Sequence, residues 1–596
     1  MIAALVQIGR LMKMHVALGG SPPSGGRFRT MDGTWILLGT AVVLLLARFV
    51  ALGLAPFHKD EPGFLVAAAA QHATGHWAMQ SPLVGSSSIR YGPSILWLYG
   101  GLQVVLGQAA VGMIGAMCAL MAAAHLFFAL SLARVFAPAG PRASGLLMQV
   151  AHSAEARRIA GSVLLLLSAS PSQYLWSRLA WDQLSSVTAY LAVGTLAAPA
   201  GVSWRRAAFA GVVLGFGVSS HPMILPLVVL AAVFVVASNW SSPRTALATV
   251  GTFAVAVVVV NVPWLIALAQ HLPSEVAMRM RHDAPVFSDR WLEVPLGLGS
   301  FGLPYTFDGE WPSVAATLPV PNDIVGTLGL LLCASAMGIG AVTGWRHLRG
   351  TPRRLTWLAV GGSVAFPVFM AALGTGLQPH YQFPTGWIVP LLLAAAQHAR
   401  QRSTLRVLLI GGTVVCGALQ VVTLTTVMAW VSAHDGTRGP HYGMTIGAQR
   451  AAVIGVCEAS RGAVIENHTE VLDISLRYLV STEAACRGRA ITICPGATCP
   501  PSSADVERYE WRYLAPTGAR AAMRRQSAAT GRASGQVSAA STKSGDISPP
   551  SERPCASCTA RASFTSSSAD FVQGGRTRSE VPSGVTRSPH FTSREQ

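Results

Sequence analysis

An acidic pair, Asp60-Glu61, is the first group in this chain that could carry chemistry. It follows almost directly on the apolar run 35–55, and a carboxylate at the mouth of a membrane helix is costly unless it is hydrated or used. Ionised beside water, Asp60 could act as a general base on an acceptor hydroxyl or amine. A structural interpretation is also open, because Asp60 before Glu61 and Pro62 suits a helix N-cap, which stabilises a helix by about 1 kcal/mol.

Two arginines have the chemistry to hold a phosphate group. Arg90 lies just before an apolar segment, and Arg178 lies in a short polar turn with Asp182 four residues later. Arginine offers a planar fork of donors to an oxyanion, and Asp182 would add a second acid. The alternatives are a snorkelling membrane anchor for Arg90 and, for Arg178 with Asp182, an exposed ion pair worth about 0.3–0.5 kcal/mol.

Two histidines next to prolines complete the set of candidates. His221 directly precedes Pro222, and His380 with Tyr381 precedes Pro384. Each histidine could donate a hydrogen bond to a phosphate or leaving-group oxygen. A histidine at a membrane interface is also often simply solvated.

Long apolar blocks must position these residues. Of the 596 residues, 51% are hydrophobic and 12% are charged, and the mean hydropathy is +0.44. Blocks of about 20 residues recur, which is the length of a membrane-spanning helix. This pattern excludes a soluble globular protein and predicts an all-α polytopic membrane protein with about eleven transmembrane helices. The blocks lie at 34–55, 110–136, 159–175, 183–199, 207–221, 223–239, 246–268, 326–344, 356–376, 385–398 and 406–431. A further apolar segment, 93–106, is predicted to lie at the membrane interface.

The positions of the arginines predict the orientation. The formal net charge of +18 does not indicate nucleic-acid binding, because the basic residues lie in short loops and in the C-terminal tail. If the N-terminus is inside, the inner connections hold most of the loop arginines and the outer loops hold few. The positive-inside rule then favours a multi-pass protein of the cytoplasmic membrane, with its N-terminus inside, its C-terminal region outside and no cleaved signal peptide.

The composition divides the chain into four parts. Residues 1–32 form a cytoplasmic N-terminal arm, and residues 33–431 form the transmembrane domain, with outer loops 56–92 and 269–325. Residues 432–515 mix apolar runs with polar connectors and predict a small extracytoplasmic α/β domain. Residues 516–596 are rich in Ser, Thr, Arg, Pro and Gly with few apolar clusters, which predicts a disordered tail.

Four cysteines fall in the small outer domain. They are Cys457, Cys486, Cys494 and Cys499. An oxidising compartment outside the membrane would allow two disulfide bonds among them. The sequence leaves their pairing open.

The order of these features resembles the GT-C class of integral membrane glycosyltransferases, in the branch of protein O-mannosyltransferases and aminoarabinose transferases. The resemblance covers roughly residues 34–431. It is carried by an acid pair after the first span, a basic residue and a proline opening the next helix, a basic and an acidic residue at a later outer turn, and a His-Tyr pair late in the chain. In this chain these are Asp60-Glu61, Arg90 with Pro93, Arg178 with Asp182, and His380-Tyr381.

The resemblance implies a GT-C fold and the transfer of a sugar, with inversion, from a polyprenyl-phosphate donor. The acceptor would be a lipid, a glycan or a protein of the bacterial cell envelope, at the outer face of the inner membrane. Asp60 would be the base or the acceptor-orienting carboxylate, with Glu61 and Asp182 as further acids. Arg90 and Arg178 would hold the lipid phosphate, with His221, His380 and Tyr381 around the donor. No metal is expected, although Asp60, Glu61 and Asp182 could together hold a divalent ion.

Two other functions remain open at this point. A transporter or flippase of lipid-linked sugars would need polar or broken helices near the middle of the membrane, whereas these blocks hold little interior charge. A non-enzymatic membrane sensor would bind its ligand through the C-terminal domain.

Overall fold

A computed structural model describes the chain over residues 32–57, 60–81, 90–137, 146–179, 184–199, 201–279, 302–372, 384–398, 403–439, 441–469, 473–495, 506–513, 521–526 and 536–537. The described chain is mostly helical. The N-terminal arm 1–31 and residues 538–596 lie outside the described residues.

Seventeen helices precede the C-terminal domain within the described residues. They are α1 Gly33–Leu46, α2 Asp60–Thr74, α3 Ser94–Leu106, α4 Ala110–Phe136, α5 Leu146–His152, α6 Ala154–Ala169, α7 Pro171–Trp176, α8 Leu184–Leu196, α9 Trp204–Ser220, α10 Leu225–Ser238, α11 Pro243–Arg279, α12 Gly302–Phe307, α13 Trp311–Ala315, α14 Asn322–Arg346, α15 Gly350–Ala372, α16 Ile388–His398 and α17 Ser403–His434. Short 3-10 helices at Ala47–Phe49, Leu52–Leu54, Pro222–Ile224 and Asp308–Glu310 lie between them.

Five of the described helices are long and apolar enough to cross a membrane. They are α4, α11 over Pro243–Gln270, α14, α15 and α17 over Thr404–His434. Each of the eleven predicted blocks contains a helix, but α1, α6, α8, α9, α10 and α16 have only 11 to 17 residues. At 1.5 Å of rise per residue they reach at most about 26 Å, less than the roughly 30 Å of a hydrocarbon core. The apolar helices are compatible with a multi-pass membrane protein, while the count of eleven spans stays a prediction.

Hydrogen bonds group several helix connections at one end of the bundle. Arg157, near the start of α6, forms an ion pair of 3.0 Å with Asp32, which caps α1. Arg354, near the start of α15, donates to the carbonyl oxygen of Ser238 at the end of α10 (3.3 Å). We call this the arginine end, because Arg205, Arg206, Arg244 and Arg346 also lie at the helix termini that meet there.

The opposite end holds the 51–57 segment, which runs from α1 towards α2. Its carbonyl groups accept hydrogen bonds from the C-terminal domain: Tyr442 Oη donates to Leu54 at 2.5 Å, and the backbone N–H of Ile446 donates to Ala55 at 2.9 Å. We call this the site end. The candidate residues described below lie here.

The C-terminal domain is a five-stranded mixed sheet with two helices. Its strands are β1 Gly462–Asn467, β2 Ala490–Pro495, β3 Glu507–Tyr513, β4 Ala521–Gln526 and β5 Gln536–Val537, and its helices are α18 Ile446–Ala459 and α19 Asp473–Thr482. The strand order is β2-β1-β3-β4-β5. β1 pairs in parallel with β2 and β3, whereas β4 is antiparallel to β3 and β5. The small sheet that the sequence predicted is therefore present.

The sheet corrects the predicted end of this domain. The boundary was placed at residue 515, with a disordered tail beyond it, but β4 and β5 continue the sheet to Val537. Their apolar residues, Ala521, Ala522, Met523 and Val537, lie in short groups within a Ser- and Arg-rich stretch, which is why composition did not reveal the strands. A strand can nevertheless form there, because β3 supplies backbone partners along the length of β4.

One predicted disulfide bond is described completely. Cys457 of α18 is joined to Cys486, which closes a loop with a sequence separation of 29. Cys494 is also disulfide-bonded, and its partner lies outside the described residues. The prediction of bonded cysteines in this domain is confirmed for these three.

Candidate functional site

The predicted acids are described in part. Helix α2 begins at Asp60, although the side chain of Asp60 is outside the described residues, as are Asp182, His380 and Tyr381. Glu61 is buried, with 3% of its surface exposed. The second carboxylate of the pair is therefore inside the protein and not at a wetted mouth.

Helix α2 is fixed against α3 by side-chain hydrogen bonds. Gln71 Nε2 donates to the carbonyl oxygen of Leu96 (3.1 Å), and Gln103 Nε2 donates to that of Leu65 (3.0 Å). Both glutamines are buried. These hydrogen bonds fix the position of α2 and, with it, the backbone position of its first residue, Asp60.

Arg178 is buried at the site end. The helix α7 ends at Trp176, and Arg178 follows it with only 1% of its surface exposed. Its Nη1 donates to Tyr174 Oη (2.6 Å), its Nη2 donates to the carbonyl oxygen of Ala51, and its guanidinium lies 5.1 Å from the centre of the Tyr174 ring. Because Arg178 is buried and lies beyond the end of α7, the interpretation of Arg178 as part of an exposed ion pair on a helix face does not apply.

Tyr91, which follows Arg90 in the chain, meets His221. Tyr91 Oη lies 3.3 Å from His221 Nε2, and the two rings are 5.0 Å apart. The indole N–H of Trp264 donates to the carbonyl oxygen of Arg90 (3.2 Å). Ser94 then fixes the start of α3, because its backbone N–H donates to the side-chain oxygen of Ser219 (3.1 Å).

His221 is not the solvated interface histidine that one interpretation suggested. It is 3% exposed, and its Nδ1 accepts a hydrogen bond from the backbone N–H of Met223 (3.3 Å). It thereby caps the 3-10 helix Pro222–Ile224. The structure packs this histidine between α9 and α10 and joins it to Tyr91.

A second arginine is buried near the site end and was not among the predicted residues. Arg48 follows α1 and is 0% exposed, and its Nη1 lies 3.1 Å from Nδ1 of the buried His125 in α4. The expectation that the apolar blocks hold little interior charge is wrong at this position. An arginine inside the apolar run 35–55 was itself a usable signal, since such residues in membrane helices usually have a specific partner.

An acidic turn in the segment 269–325, which the sequence predicted to be an outer loop, was also missed. Asp308 has a φ of 37°, which is unusual for a residue other than glycine. The buried Glu310 follows it and accepts a hydrogen bond from the backbone N–H of Arg438 (3.0 Å). Nearby, the rings of Tyr305 and His441 lie tilted against each other with their centres 3.9 Å apart. This turn joins α12 and α13 to the connection that leads from α17 into the C-terminal domain.

No protein-family model and no curated protein matches this chain. The candidate site is therefore interpreted from its own residues.

The described residues contain one group with the spacing of a metal site. Glu466, His468 and Glu510 place their ligand atoms within 4.8 Å of one another. Arg508 Nη1 already lies 2.8 Å from a carboxylate oxygen of Glu466 and neutralises part of this charge. The group lies in the sheet of the C-terminal domain and carries no argument for a metal ion. The possible metal set Asp60, Glu61 and Asp182 cannot be described as a group, because only the side chain of Glu61 is among the described residues.

Proposed function

We propose that this protein is a membrane glycosyltransferase that moves a sugar, with inversion, from a polyprenyl-phosphate donor to an acceptor at the membrane surface. One observation carries the proposal. The 51–57 segment contacts the buried guanidinium of Arg178 at Ala51 and leads within three residues to Asp60, where α2 begins. The residue proposed to bind the phosphate and the proposed base are thus connected to the same short stretch of backbone.

The chemistry divides between these groups. The lipid tail of the donor would lie among the apolar helices while its sugar phosphate lies at the site end. Arg178 and Arg90 would bind the phosphate, with His221, His380 and Tyr381 lining the donor, and Asp60 would accept the proton of the acceptor, assisted by Glu61 and Asp182. Because phosphate is a good leaving group, stabilisation of its developing charge by arginine would supply most of the barrier reduction.

The location follows from the distribution of charge. We propose that the arginine end faces the cytoplasm and the site end faces the outside of the bacterial inner membrane. The disulfide between Cys457 and Cys486 supports this orientation, since disulfides persist mainly in oxidising compartments. The acceptor would then be a component of the cell envelope.

The test is native mass spectrometry of the full-length protein purified with its lipids. The wild type should carry a polyprenyl-phosphate sugar, and Arg178→Ala should lose it. Arg157→Gln is a matched control, since Arg157 is a buried arginine at the opposite end, and it should keep the lipid. Asp60→Asn should still bind the lipid but should no longer transfer its sugar. A wild type without lipid phosphate, or an Asp60→Asn variant that transfers normally, would refute the proposal.

Transport of a lipid-linked sugar is a second candidate, and one observation favours it. Arg48 and His125 form a buried polar contact between α1 and α4, and polar groups inside a bundle are typical of transport paths. In sealed vesicles, a transporter would move the donor across the bilayer without breaking its phosphate–sugar bond. Release of free polyprenyl phosphate only when an acceptor is present would favour the transferase.

A further inference from the structure

Arg48 has a buried N–H group with no acceptor. Its Nη2 donates to the carbonyl oxygen of Leu167 (2.7 Å) and its Nη1 to His125 Nδ1 (3.1 Å), whereas Nε has no hydrogen-bond partner. Arginine can only donate, so Nδ1 of His125 is the acceptor and Nε2 of that ring carries the hydrogen. His125 is itself buried, and the side chain of Gln173 is a hydrogen-bond partner of its ring.

Cys118 contacts the backbone both at Arg48 and at Ser177, the residue before Arg178. Cys118 Sγ is 3.2 Å from the carbonyl oxygen of Ser177 and 4.0 Å from that of Arg48. Both guanidinium groups act electrostatically on the Cys118 thiol and on the Tyr174 phenol. Like Arg48, Arg178 has a buried Nε without a hydrogen-bond partner.

Two neutral donors adjoin the same space. Tyr190 meets His125 edge to face with ring centres 4.4 Å apart, and its hydroxyl is buried without a partner. Gln173 is a side-chain hydrogen-bond partner of His125, and its own Nε2 is buried without a partner. With Nε of each arginine and the Tyr190 hydroxyl, four buried donors of the described residues, from α7, α8 and the ends of α1 and α7, lack acceptors in one region.

The charge of this cluster is not balanced by an acid within the described part of the chain. Among the described residues, no Asp or Glu forms an ion pair with Arg48 or Arg178. A buried cation is strongly unfavourable without a counter-charge, and a buried donor without an acceptor adds to the cost. Two cations and several unused donors are complementary to an anion with several oxygen atoms.

We propose that Arg48, His125, Arg178 and Tyr190 form a buried binding site for a phosphate monoester or inorganic phosphate. A phosphate dianion would balance the two guanidinium charges, and its oxygen atoms match the planar donor forks of arginine. The inference rests on the proposed function at Arg178, which would hold the lipid phosphate there as well. Arg48, His125 and Tyr190 have no role in the proposed transfer, so their variants test this site separately.

The 51–57 segment covers one side of this site. Ala51 accepts a hydrogen bond from Arg178 and has a φ of 53°, in the left-handed region that alanine rarely adopts. Both arginines are closed off from solvent. A phosphate would enter by displacing Ala51, whose carbonyl oxygen it would replace as the acceptor of Arg178.

The test is direct binding to the full-length protein in a neutral detergent, measured by titration and by the shift in thermal unfolding. The probes are inorganic phosphate and decyl phosphate. Binding of both identifies a site for free phosphate, and binding of decyl phosphate alone identifies a lipid phosphate headgroup. Absence of saturable binding for both probes would overturn the proposal.

The variants separate this site from non-specific attraction to a basic protein. Arg48→Gln should weaken binding about tenfold or more, because it removes charge-assisted hydrogen bonds. Tyr190→Phe should weaken it about fivefold and keeps the ring packing, so it tests the site even if Arg48→Gln does not fold. Arg157→Gln should bind as the wild type does. The assignment is contradicted if Tyr190→Phe binds phosphate as tightly as the wild type does and Arg48→Gln either binds equally or does not fold.

Discussion

Gln449 Nε2 donates a hydrogen bond of 2.5 Å to the carbonyl oxygen of Phe57, across 392 residues of sequence. The same amide donates to the carbonyl oxygen of Met444 (3.1 Å). Phe57 ends the 51–57 segment and lies three residues before Asp60. The first turn of α18 therefore holds the backbone that leads into the candidate active-site helix.

Gln449→Leu should lower sugar transfer without weakening donor binding. The substitution keeps the approximate side-chain volume but removes both hydrogen bonds. The backbone that leads from Phe57 to Asp60 is then held less firmly, while Arg178 is unchanged. We expect the transfer rate to fall about tenfold, as for a displaced catalytic group. Arg450→Gln is the control, because Arg450 is on the same helix in an ion pair with Glu483 and partly exposed pairs contribute little. A parallel loss of donor binding in Gln449→Leu would show that Gln449 does not act through Asp60.

Gly92→Ala should loosen the contact between the Arg90 turn and α9. A Cβ atom at residue 92 would lie 2.1 Å from Ser219 Oγ and 2.8 Å from Ser219 Cα. Overpacking of this kind costs about 1–3 kcal/mol. Thermal unfolding of the purified protein would measure the effect. Gly101→Ala is the matched control, since nothing lies within 4 Å of the added atom, and its stability should equal or exceed that of the wild type.

Removal of the Cys457–Cys486 disulfide should destabilise the C-terminal domain by about 2–4 kcal/mol, as expected for a loop of this length. The double variant Cys457→Ser/Cys486→Ser should unfold at a lower temperature, while Cys333→Ala, which alters a free buried cysteine, should leave this domain unchanged. Mass spectrometry of protein from intact cells should show the bond. Free thiols at both positions would contradict the disulfide and with it the support that it gives to an outer location of this domain.

The two ends of the bundle should be labelled from opposite sides of the membrane. Ala451 in the C-terminal domain and Arg353 at the arginine end are both exposed. A membrane-impermeant maleimide added to intact cells should label Ala451→Cys above the unsubstituted background. It should label Arg353→Cys only after the membrane is made permeable. The reverse pattern would invert the proposed orientation.

Asp32 should make the stability of the arginine end depend on pH. Hydrogen bonds from the backbone N–H and the hydroxyl of Thr34, and from Arg157, lower the pKa of Asp32 below its ordinary value of 3.8. Because the folded-state pKa is lowered, the carboxylate stabilises the fold above the unfolded-state pKa, and this contribution is lost as the pH falls through the folded-state value. Asp32→Asn should therefore melt earlier than the wild type at neutral pH. The difference should shrink below about pH 4, and a difference that is constant down to pH 3 would contradict this account.

Local patterns predicted much of the helical part. Each of the eleven apolar blocks contains a helix, since apolar runs and proline positions such as Pro171 and Pro222 are read directly along the chain. The small α/β domain was likewise visible from its alternating apolar runs. Its extension to Val537 was not, because β4 depends on pairing with β3 and not on its own composition.

The sequence by itself determined that this is a mostly helical protein with membrane-length apolar segments, and it singled out Arg90, His221 and Arg178 as polar residues with special positions. Only the tertiary structure decided that His221 meets Tyr91, that Arg178 is buried against Ala51, and that Arg48 shares its surroundings with His125. These contacts join residues 77 to 130 positions apart. Helical periodicity is set by neighbours within a few residues, whereas burial and partner choice depend on how whole helices pack together.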